Sequence, residues 1–524
     1  MDLGAKIKTS IAGLRSRINS SPDTLFVWLV FGAYMSVLAA NLLTHEMWRD
    51  ELQEWMIARD SSSLGNLLYN LSGEGHPPLW HFLLYFASKI TKDPAAMQIL
   101  HFVIASGAAY IFLRFAPFEK FQKLLFVFGY FLIYEYAAIC RMYAIGIFLI
   151  FCFCALFSGK WRWRYPAIFI VLSLLCQTNV YGFMAAGCLL CFLLLEYLLR
   201  ENKSATTGNK TIMIWLGVAL VVFSLFISAT VIIPDSNRDV AAKFQKALTI
   251  QHFQKIFAGV FHAFVPLPQP QYSYWNTSII KDRTTQALLA LPLLAFTTLL
   301  FIRKKLIFML FVLFTVSMLG FRHFVHLGYI RHSGFLFIMF IVCLWLGRYY
   351  KDDVKLRSVR LIYWADFGEK YREKFLYVLL IIHFSTGLFA SGMEWFCTFS
   401  TARDTAKYIK EHHLDILPIC GDHCMVAHAV AGYLGQSIYY PGSGRIGSFV
   451  LYSGKNETID IPTLIERAKR FADNKKSDVL LVLNYKLSIN DSSIIKITEF
   501  NRSIVRDEEF YLYLLKYNPV FNNK

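Results

Sequence analysis

The stretch Thr24–Leu43 reads TLFVWLVFGAYMSVLAANLL and contains no charged residue. A helix of about 20 apolar residues is long enough to cross the hydrocarbon core of a bilayer. Similar runs recur at Ala95–Leu113, Ile212–Ile233 and Phe375–Gly392. Only 17% of the residues are charged, whereas a water-soluble chain has about 25%. The sequence therefore predicts an α-helical polytopic membrane protein.

Basic residues predict how the chain is oriented. The net charge is +17 at pH 7. Lys and Arg concentrate in the cytoplasmic loops of membrane proteins, so this excess does not indicate a nucleic-acid partner, and we expect none. We place the basic N-terminus, Lys160–Arg164, Arg303–Lys305 and residues 348–374 in the cytoplasm. The stretch Pro77–Ile90 is too short to span and is interpreted as an interfacial helix.

This orientation gives about eleven spans, with outer loops at residues 45–94 and 234–284. In the second outer loop, apolar residues between Phe244 and Phe261 recur at roughly helical spacing. They predict an amphipathic helix that lies on the membrane surface. The predicted spans are Thr24–Leu43, Ala95–Leu113, Phe121–Ala138, Tyr143–Phe157, two within residues 166–199, Ile212–Ile233, Thr285–Ile302, Leu306–Phe321, Gly334–Leu346 and Phe375–Gly392.

The composition changes near residue 397. Residues 1–396 form the predicted transmembrane domain, and residues 397–524 are polar and mixed. Helical patterns at Met425–Leu434 and Thr463–Asp473 alternate with strand patterns such as Val479–Leu483, which is typical of a small α/β domain. We expect an integral protein of a bacterial inner membrane with this domain in the periplasm or outside the cell.

Three carboxylates follow the first span in the segment Trp48–Trp55, at Asp50, Glu51 and Glu54. On a helix, Asp50 and Glu54 share a face while Glu51 points elsewhere. A carboxylate beside a low-dielectric surface holds its proton more tightly, which suits a general base. The alternative is a cluster that only stabilises the N-terminus of a helix. His76, in a His-Pro-Pro turn, is expected near these carboxylates.

Two further clusters stand at predicted outer ends of spans. One holds Glu135, Arg141 and Tyr143, and the other holds Arg331 and His332. Ionisable side chains at such a depth are candidates for function. The planar guanidinium of Arg matches two oxygens of a phosphate. The alternative for both arginines is snorkelling, in which a long side chain reaches for lipid head groups.

An acidic pair after the first span, a His-Pro-Pro turn and the tripeptide Arg141-Met142-Tyr143 together resemble the C-type glycosyltransferases. This group includes the protein O-mannosyltransferases and the lipid A aminoarabinose transferases. The resemblance implies an enzyme that takes a hexose or pentose from a polyprenyl-phosphate carrier, without a nucleotide sugar. It would pass the sugar, with inversion, to a lipid, glycan or protein acceptor on the non-cytoplasmic face.

The resemblance also implies roles for single residues. Asp50 matches the acidic residue that deprotonates or orients the acceptor, and Glu51 completes the catalytic pair. Arg141 resembles a basic residue near the carrier phosphate, and Arg331 a second phosphate contact. Asn179 stands where many relatives carry His. The remaining residues expected to bind substrate are His76, Glu135, Tyr143 and His332.

Three other functions are open on the residues alone. A transporter would show internal pseudo-symmetry and ionisable residues in mid-membrane, and the sequence shows neither. A metal-dependent transferase could hold Mg²⁺ or Mn²⁺ at Asp50, Glu54 and His76, and loss of activity in a chelator would support it. A scaffold would bind a partner through residues 397–524, where Cys420–Cys424 matches no zinc-binding spacing.

Overall fold

Apolar helices fill most of the first three quarters of the chain. The computed structural model describes residues 22–159, 161, 163–199, 208–232, 249–422, 424–452, 457–488 and 491–518. The helices of the first part are α1 (Pro22–Thr44), α2 (Arg49–Asp60), α3 (Leu64–Asn70), α4 (Leu79–Ile90), α5 (Ala95–Phe115), α6 (Lys120–Val127), α7 (Tyr143–Ser158), α8 (Arg164–Cys176), α9 (Val180–Leu199), α10 (Gly208–Ile232), α11 (Ile250–Phe264), α12 (Arg283–Leu299), α13 (Lys305–Phe324), α14 (Ile330–Gly347) and α15 (Val359–Phe396).

Seven of the described helices are long and apolar enough to cross a membrane: α1, α5, α9, α10, α13, α14 and α15. Two shorter apolar helices, α7 and α8, pack among them. Helix α14 is buried over 94% of its most apolar stretch and forms the centre of the bundle. Helix α10 is buried over only 22% and turns most of its surface outward, as a lipid-facing helix does. The predicted polytopic helical fold is confirmed.

The turn predicted inside residues 166–199 separates α8 from α9. The Asn179 side chain accepts hydrogen bonds from the backbone N–H groups of Tyr181 and Gly182, both at 3.0 Å. Asn is a favoured residue at this position because the first N–H groups of a helix have no partner within the helix. Asn179 therefore starts α9, which gives this residue a structural role.

The stretch Phe121–Ala138, predicted as one span, is not a continuous helix. After α6 the chain continues as a buried irregular segment, residues 128–142, with one π-helical turn at Phe131–Glu135. Helix α15 passes so close that a Cβ atom at Gly387 would clash with the carbonyl of Phe128. Irregular backbone persists at membrane depth only where protein covers it. Hydropathy could not reveal this break, because most of the irregular residues are themselves apolar or aromatic.

Helix α11 is the described part of the amphipathic helix predicted in the second outer loop. The part of that prediction before residue 249 lies outside the described ranges. The helix packs against α12 and α14, whereas Phe253, one of the apolar residues of the predicted stripe, is 43% exposed. Val260 and Phe264 are buried by this packing. A helix buries its apolar stripe against protein where neighbouring helices offer a partner surface. That the helix lies on the membrane surface stays a prediction.

A six-stranded sheet with flanking helices forms the C-terminal part, as predicted. The elements are α16 (Ala402–Glu411), β1 (Ile419–Gly421), α17 (Cys424–Leu434), β2 (Ile438–Tyr440), β3 (Arg445–Gly447), α18 (Ile461–Lys475), β4 (Val479–Leu483), β5 (Ile494–Phe500) and β6 (Phe510–Leu515). The strand order is β3-β2-β1-β4-β6-β5, with β1 parallel to β2 and β4 and the other pairs antiparallel. The central strand β4 is buried along its whole length.

This sheet domain sits directly on the first outer loop of the bundle. Helix α17 packs on α2 so closely that a Cβ atom at Gly432 would lie 3.1 Å from the Cβ of Leu52. The backbone N–H of Arg49 donates to Glu508 (2.9 Å), and His428 Nε2 lies 2.9 Å from the Arg49 carbonyl oxygen. The domain and the loop therefore lie on the same side of the bundle and share one surface.

Candidate functional site

A cavity of about 600 Å³ lies where the sheet domain meets the helical bundle. Its walls come from the start of α2, the segment between α11 and α12, the start of α14 and the segment between β5 and β6. Binding pockets typically hold about 300–1,000 Å³, so a small ligand or the reacting end of a larger one fits here. The lining includes Trp48, Asp50, Trp275, Asn276, Arg331 and Asp507.

The first turn of α2 positions Asp50 at this cavity. The first N–H groups of a helix attract carboxylates because they lack partners within the helix. Here Glu51 accepts from the N–H of Trp48 (3.0 Å) and Glu508 from the N–H of Arg49 (2.9 Å). Glu51 and Glu508 thus accept from the N–H groups at the start of α2, so the Asp50 side chain is not needed there. The Asp50 side chain is 30% exposed and lines the cavity.

Two arginines, distant in sequence, converge on Asp50. Arg331 Nη2 lies 3.2 Å from Asp50 Oδ2, and Arg141 Nη1 lies 3.6 Å from the same oxygen. Arg141 also donates to the backbone carbonyl of Asp50 at 2.6 Å. Burial would raise the pKa of Asp50, but Arg141, Arg331 and Arg49 outweigh it and hold that pKa below its ordinary value. This direction is opposite to the raised proton affinity expected from the sequence, because the sequence did not place both guanidinium groups beside Asp50.

Arg331 is only 5% exposed, and three aromatic rings surround it. Its guanidinium carbon lies 4.9 Å from the ring centre of Tyr329, 5.3 Å from Trp48 and 5.4 Å from Trp275. Such rings attract a cation and restrict its movement. Its Nε and Nη1 atoms are buried and have no hydrogen-bond partner among the described residues. Buried donors without partners are costly, so this guanidinium is prepared to bind an anion.

Glu54 occupies the next turn of α2, on the same face as Asp50. Its Oε2 accepts from Trp80 Nε1 at 2.7 Å, and its Oε1 lies 3.2 Å from Arg141 Nη2. Burial raises the pKa of Glu54 to about 8. The guanidinium of Arg141 contacts both Asp50 and Glu54, so it stands where a metal shared by these two carboxylates would bind. No group of three potential metal-binding side chains converges in the part of the chain that the structure describes.

Glu51 points away from the cavity into a fully buried network. Its Oε1 accepts from the backbone N–H of Cys140 (2.5 Å), and its Oε2 lies 2.9 Å from His45 Nε2. The other ring nitrogen of His45 lies 2.9 Å from Glu394, which also accepts from Tyr134 (2.6 Å). Burial alone would lower the pKa of His45, but the two carboxylates outweigh it and raise that pKa well above its ordinary value. This network ties α1, α2, α15 and the irregular segment together.

Glu135 lies one layer behind the cavity wall. It accepts hydrogen bonds from Tyr130 (2.5 Å) and from Trp275 Nε1 (3.0 Å). Trp275 is one of the rings around Arg331. Glu135 therefore fixes the orientation of an aromatic wall and is not itself among the residues that line the cavity.

Tyr143, His332 and His76 lie beside the site. The Tyr143 hydroxyl and His332 Nε2 are 2.9 Å apart, which fixes the first turn of α14 next to Arg331. His76 is half-buried, and its Nδ1 has no hydrogen-bond partner among the described residues. Burial, with Arg141 nearby, lowers the pKa of His76 to about 3, so its ring is neutral at pH 7. None of the three belongs to the cavity lining.

Several cavity residues were missed by sequence reasoning. Trp48, Trp275 and Asn276 line the cavity, as do residues 504–507 of the sheet domain. A signal was available in the stretch Gln269–Thr277, where amide, hydroxyl and aromatic side chains follow a proline-rich segment of an outer loop. Such residues on a loop are typical of binding sites. The sheet-domain residues carry no comparable signal, because only folding brings them to the loop.

Comparison with known proteins identifies the fold. No known family model matches the sequence, and no curated protein matches it. Two solved structures of ArnT from Cupriavidus metallidurans do match. The structure bound to undecaprenyl phosphate has a TM-score of 0.53 at 12% identity and covers 95% of this chain and 99% of its own. The apo structure has a TM-score of 0.51 at 11% identity and covers 95% and 100%. ArnT is a lipid A aminoarabinose transferase, and over almost its whole length this chain has the C-type fold that ArnT represents.

Proposed function

We propose that this protein is a membrane glycosyltransferase that moves a sugar from a polyprenyl-phosphate carrier to an acceptor on the non-cytoplasmic face. One observation carries the proposal. The Asp50 carboxylate lies beside the Arg331 guanidinium, which keeps two nitrogens without described partners, on the wall of one cavity. A base and an anion-binding group are the two parts that such a transfer requires. The fold shared with ArnT, one structure of which holds undecaprenyl phosphate, supports this choice of carrier.

In the proposed reaction, Asp50 accepts the proton of an acceptor hydroxyl while that oxygen attacks the anomeric carbon of the donor sugar. The bond between the anomeric carbon and the phosphate oxygen breaks, and the polyprenyl phosphate leaves with the bonding electron pair. Arg331 stabilises the charge that develops on this phosphate. A single displacement of this kind inverts the configuration of the transferred hexose or pentose.

Donor binding would also activate Asp50. Without donor, Arg331 and Arg141 keep the carboxylate ionised and weakly basic. A donor phosphate would take up part of the charge of Arg331, which raises the pKa of Asp50 and makes it a stronger base. The acceptor would then be deprotonated only when a donor is in place.

The remaining predicted residues receive supporting roles. Arg141 fixes the start of α2 through the Asp50 carbonyl and adds positive charge beside the cavity. Glu51 is a positioning residue, because both of its oxygens hold other groups. Arg141 already supplies the positive charge between Asp50 and Glu54, so we assign no step to Mg²⁺ or Mn²⁺. We expect activity to persist in a chelator such as EDTA.

The carrier would reach the site from the bilayer. Arg331 stands in the first turn of α14, one of the helices long enough to span, so the carrier phosphate would meet it at the membrane surface. The sheet domain covers the same end of the bundle. We place that end in the periplasm of a bacterial inner membrane, where the sheet domain forms part of the cavity wall.

A donor assay tests the proposal. The purified protein in lipid nanodiscs receives undecaprenyl-phosphate hexoses and pentoses, or nucleotide forms of the same sugars, with total membrane extract as acceptor. We expect release of undecaprenyl phosphate from at least one lipid-linked donor and no consumption of nucleotide sugars, with or without EDTA. Consumption of nucleotide sugars alone would overturn the proposal. So would a failure of undecaprenyl phosphate to bind the protein, measured by the thermal shift that it causes.

A further inference from the structure

One wall of the cavity carries polar side chains that the proposed chemistry does not use. It belongs to the segment between α11 and α12, where five neutral hydrogen-bonding side chains line the cavity within nine residues. Amides and hydroxyls both donate and accept, so they match ligand hydroxyl groups without favouring a charge. These residues are Gln269, Gln271, Ser273, Asn276 and Thr277.

Asn276 carries the clearest sign that this wall binds a ligand. Its backbone lies in the left-handed region, with φ of 59°, which Asn adopts more readily than other side-chain-bearing residues. Its side-chain oxygen is buried and has no hydrogen-bond partner in the described chain. Unpaired polar groups concentrate at binding sites, where the ligand supplies what the protein lacks. An acceptor oxygen of this kind requires a donor such as a hydroxyl.

The sheet domain holds this wall in place. Arg506 Nε donates to Ser273 at 2.8 Å, and the Tyr272 hydroxyl donates to the Arg502 carbonyl at 2.6 Å. Residues 504–507 border the cavity themselves. These two hydrogen bonds connect the polar wall to the sheet domain before any ligand arrives, and such preorganisation lowers the entropic cost of binding.

We infer that this wall is the acceptor subsite and that the acceptor is a carbohydrate, attacked through one of its ring hydroxyls; this inference rests on the proposed function. The amide nitrogens of Gln269 and Gln271 and the Thr277 hydroxyl already donate to backbone carbonyls of the same segment. Asn276 is the member whose side-chain oxygen still needs a donor, and a ring hydroxyl supplies one. Tyr329 is 52% exposed on the same cavity and offers an aromatic face to the apolar side of a sugar. Arg331 and Asp50 remain available for the donor phosphate and the attacking hydroxyl.

The two other acceptor classes fit this wall less well. A lipid without a sugar needs an apolar groove, but the aliphatic side chains among the lining residues are only Ile504 and Val505. One common way to hold an extended peptide is to add it to the open edge of a sheet. Here the lining residues of the sheet domain lie between β5 and β6 and not on a strand.

Linkage analysis of the product tests the inference. The labelled donor is one that the purified protein consumes in the donor assay, and membranes from source cells lacking the gene supply the natural acceptor. We expect the label to resist both mild acid and alkaline β-elimination, and permethylation to reveal a newly substituted ring hydroxyl. Release by β-elimination would indicate Ser or Thr, release by mild acid would indicate a phosphate, and label on a sugar-free lipid would indicate a lipid acceptor. Each of these three results overturns the carbohydrate inference and is still consistent with the proposed function. Failure to consume any lipid-linked donor would instead contradict the proposed function itself.

Variants of Asn276 connect this result to the wall. Asn276→Gly keeps the left-handed backbone and removes the amide, so the KM for acceptor should rise about three- to tenfold, the value of one hydrogen bond. Asn276→Asp keeps an accepting oxygen and should restore most of the affinity. The KM for donor should not change in either variant. Lys476→Gly, at another left-handed position remote from the cavity, is the matched control. An unchanged acceptor KM in Asn276→Gly, or an equal rise in the donor KM, would contradict the assignment.

Discussion

The guanidinium of Arg331 lies 3.2 Å from the carboxylate of Asp50, although 281 positions separate them in the chain. The pair borders the cavity between the helical bundle and the sheet domain. Asp50 does not satisfy Arg331 fully, since Nε and Nη1 have no described partner. Because these two nitrogens of Arg331 are unpaired in the described chain, the guanidinium can bind a second anion in addition to Asp50. An ion pair that only stabilises the fold would not leave such donors unpaired.

Replacing Arg331 by Lys tests whether it binds the carrier phosphate. Lys keeps the charge but loses the planar fork that contacts two phosphate oxygens. A lost charge-assisted contact costs about 1.5–3 kcal/mol, or roughly ten- to a hundredfold in donor KM. Donor KM is measured with a short-chain carrier, because the contact is to phosphate and not to the lipid tail. Arg470→Lys, in an exposed ion pair with Glu466, is the control. A donor KM within twofold of wild type in Arg331→Lys would reduce this residue to a structural role.

Glu54 should make donor binding depend on pH. Burial raises the pKa of Glu54 to about 8, so its carboxyl is protonated at pH 7 and leaves the charge of Arg141 available. As the pH rises through 8, Glu54 ionises and neutralises Arg141, and the donor KM should increase. Glu54→Gln stays neutral, so its donor KM should remain flat between pH 6 and 9. The same alkaline rise in both proteins would show that another group titrates.

Glu51→Gln should damage stability more than chemistry. Glu51 and Glu394 enclose His45 in a fully buried network. Removing one partner of a buried ion pair typically costs about 3–5 kcal/mol, because a charge is left uncompensated. The thermal unfolding midpoint should therefore fall sharply, while the folded fraction keeps its donor KM. Glu369→Gln, from an exposed pair with Arg372, should change little. Normal stability with abolished transfer would instead make Glu51 a catalytic residue.

Cysteine labelling of intact cells tests the orientation of the chain. Asp460 and Arg360 are both exposed, in the sheet domain and at the start of α15 respectively. The distribution of basic residues predicts that Asp460→Cys reacts with a membrane-impermeant maleimide and that Arg360→Cys does not. The unmodified chain measures the background from its native thiols, including exposed Cys191. Reaction at 360 but not at 460 would place the cavity in the cytoplasm.

The sequence predicted well whatever depends on local pattern. Apolar runs predicted about eleven spans, and seven of the described helices are long and apolar enough to cross a membrane. Asp50, Arg141 and Arg331 were chosen from their positions at predicted span ends. Only the tertiary fold brings these three side chains together, so the sequence pattern alone could not predict it. The expectation came from the resemblance to C-type glycosyltransferases. The broken stretch 128–142 was missed because hydropathy does not distinguish a buried irregular segment from a helix. Asn276 was missed because its buried side-chain oxygen is seen to lack a partner only in the folded structure.

The direction of the pKa shift at Asp50 has the same origin. A carboxylate at a membrane surface is expected to hold its proton, but two arginines reverse the effect. Likewise Glu51 and Asp50, adjacent in sequence, differ completely in environment. The two residues lie on different faces of the first turn of α2. Glu51 therefore contacts His45 in the core, and Asp50 lines the cavity.

The most direct test compares wild-type protein with Asp50→Asn, using a polyprenyl-phosphate sugar and membrane acceptor. The substitution keeps the size of the side chain and removes the base, and a positioned base contributes about 10²–10⁴ in rate. The proposed function predicts that Asp50→Asn still binds undecaprenyl phosphate but that transfer falls by at least a hundredfold. Two results would contradict the role of Asp50 as the base that activates the acceptor. One is transfer by Asp50→Asn at a rate close to wild type, and the other is that the variant loses both undecaprenyl phosphate binding and transfer.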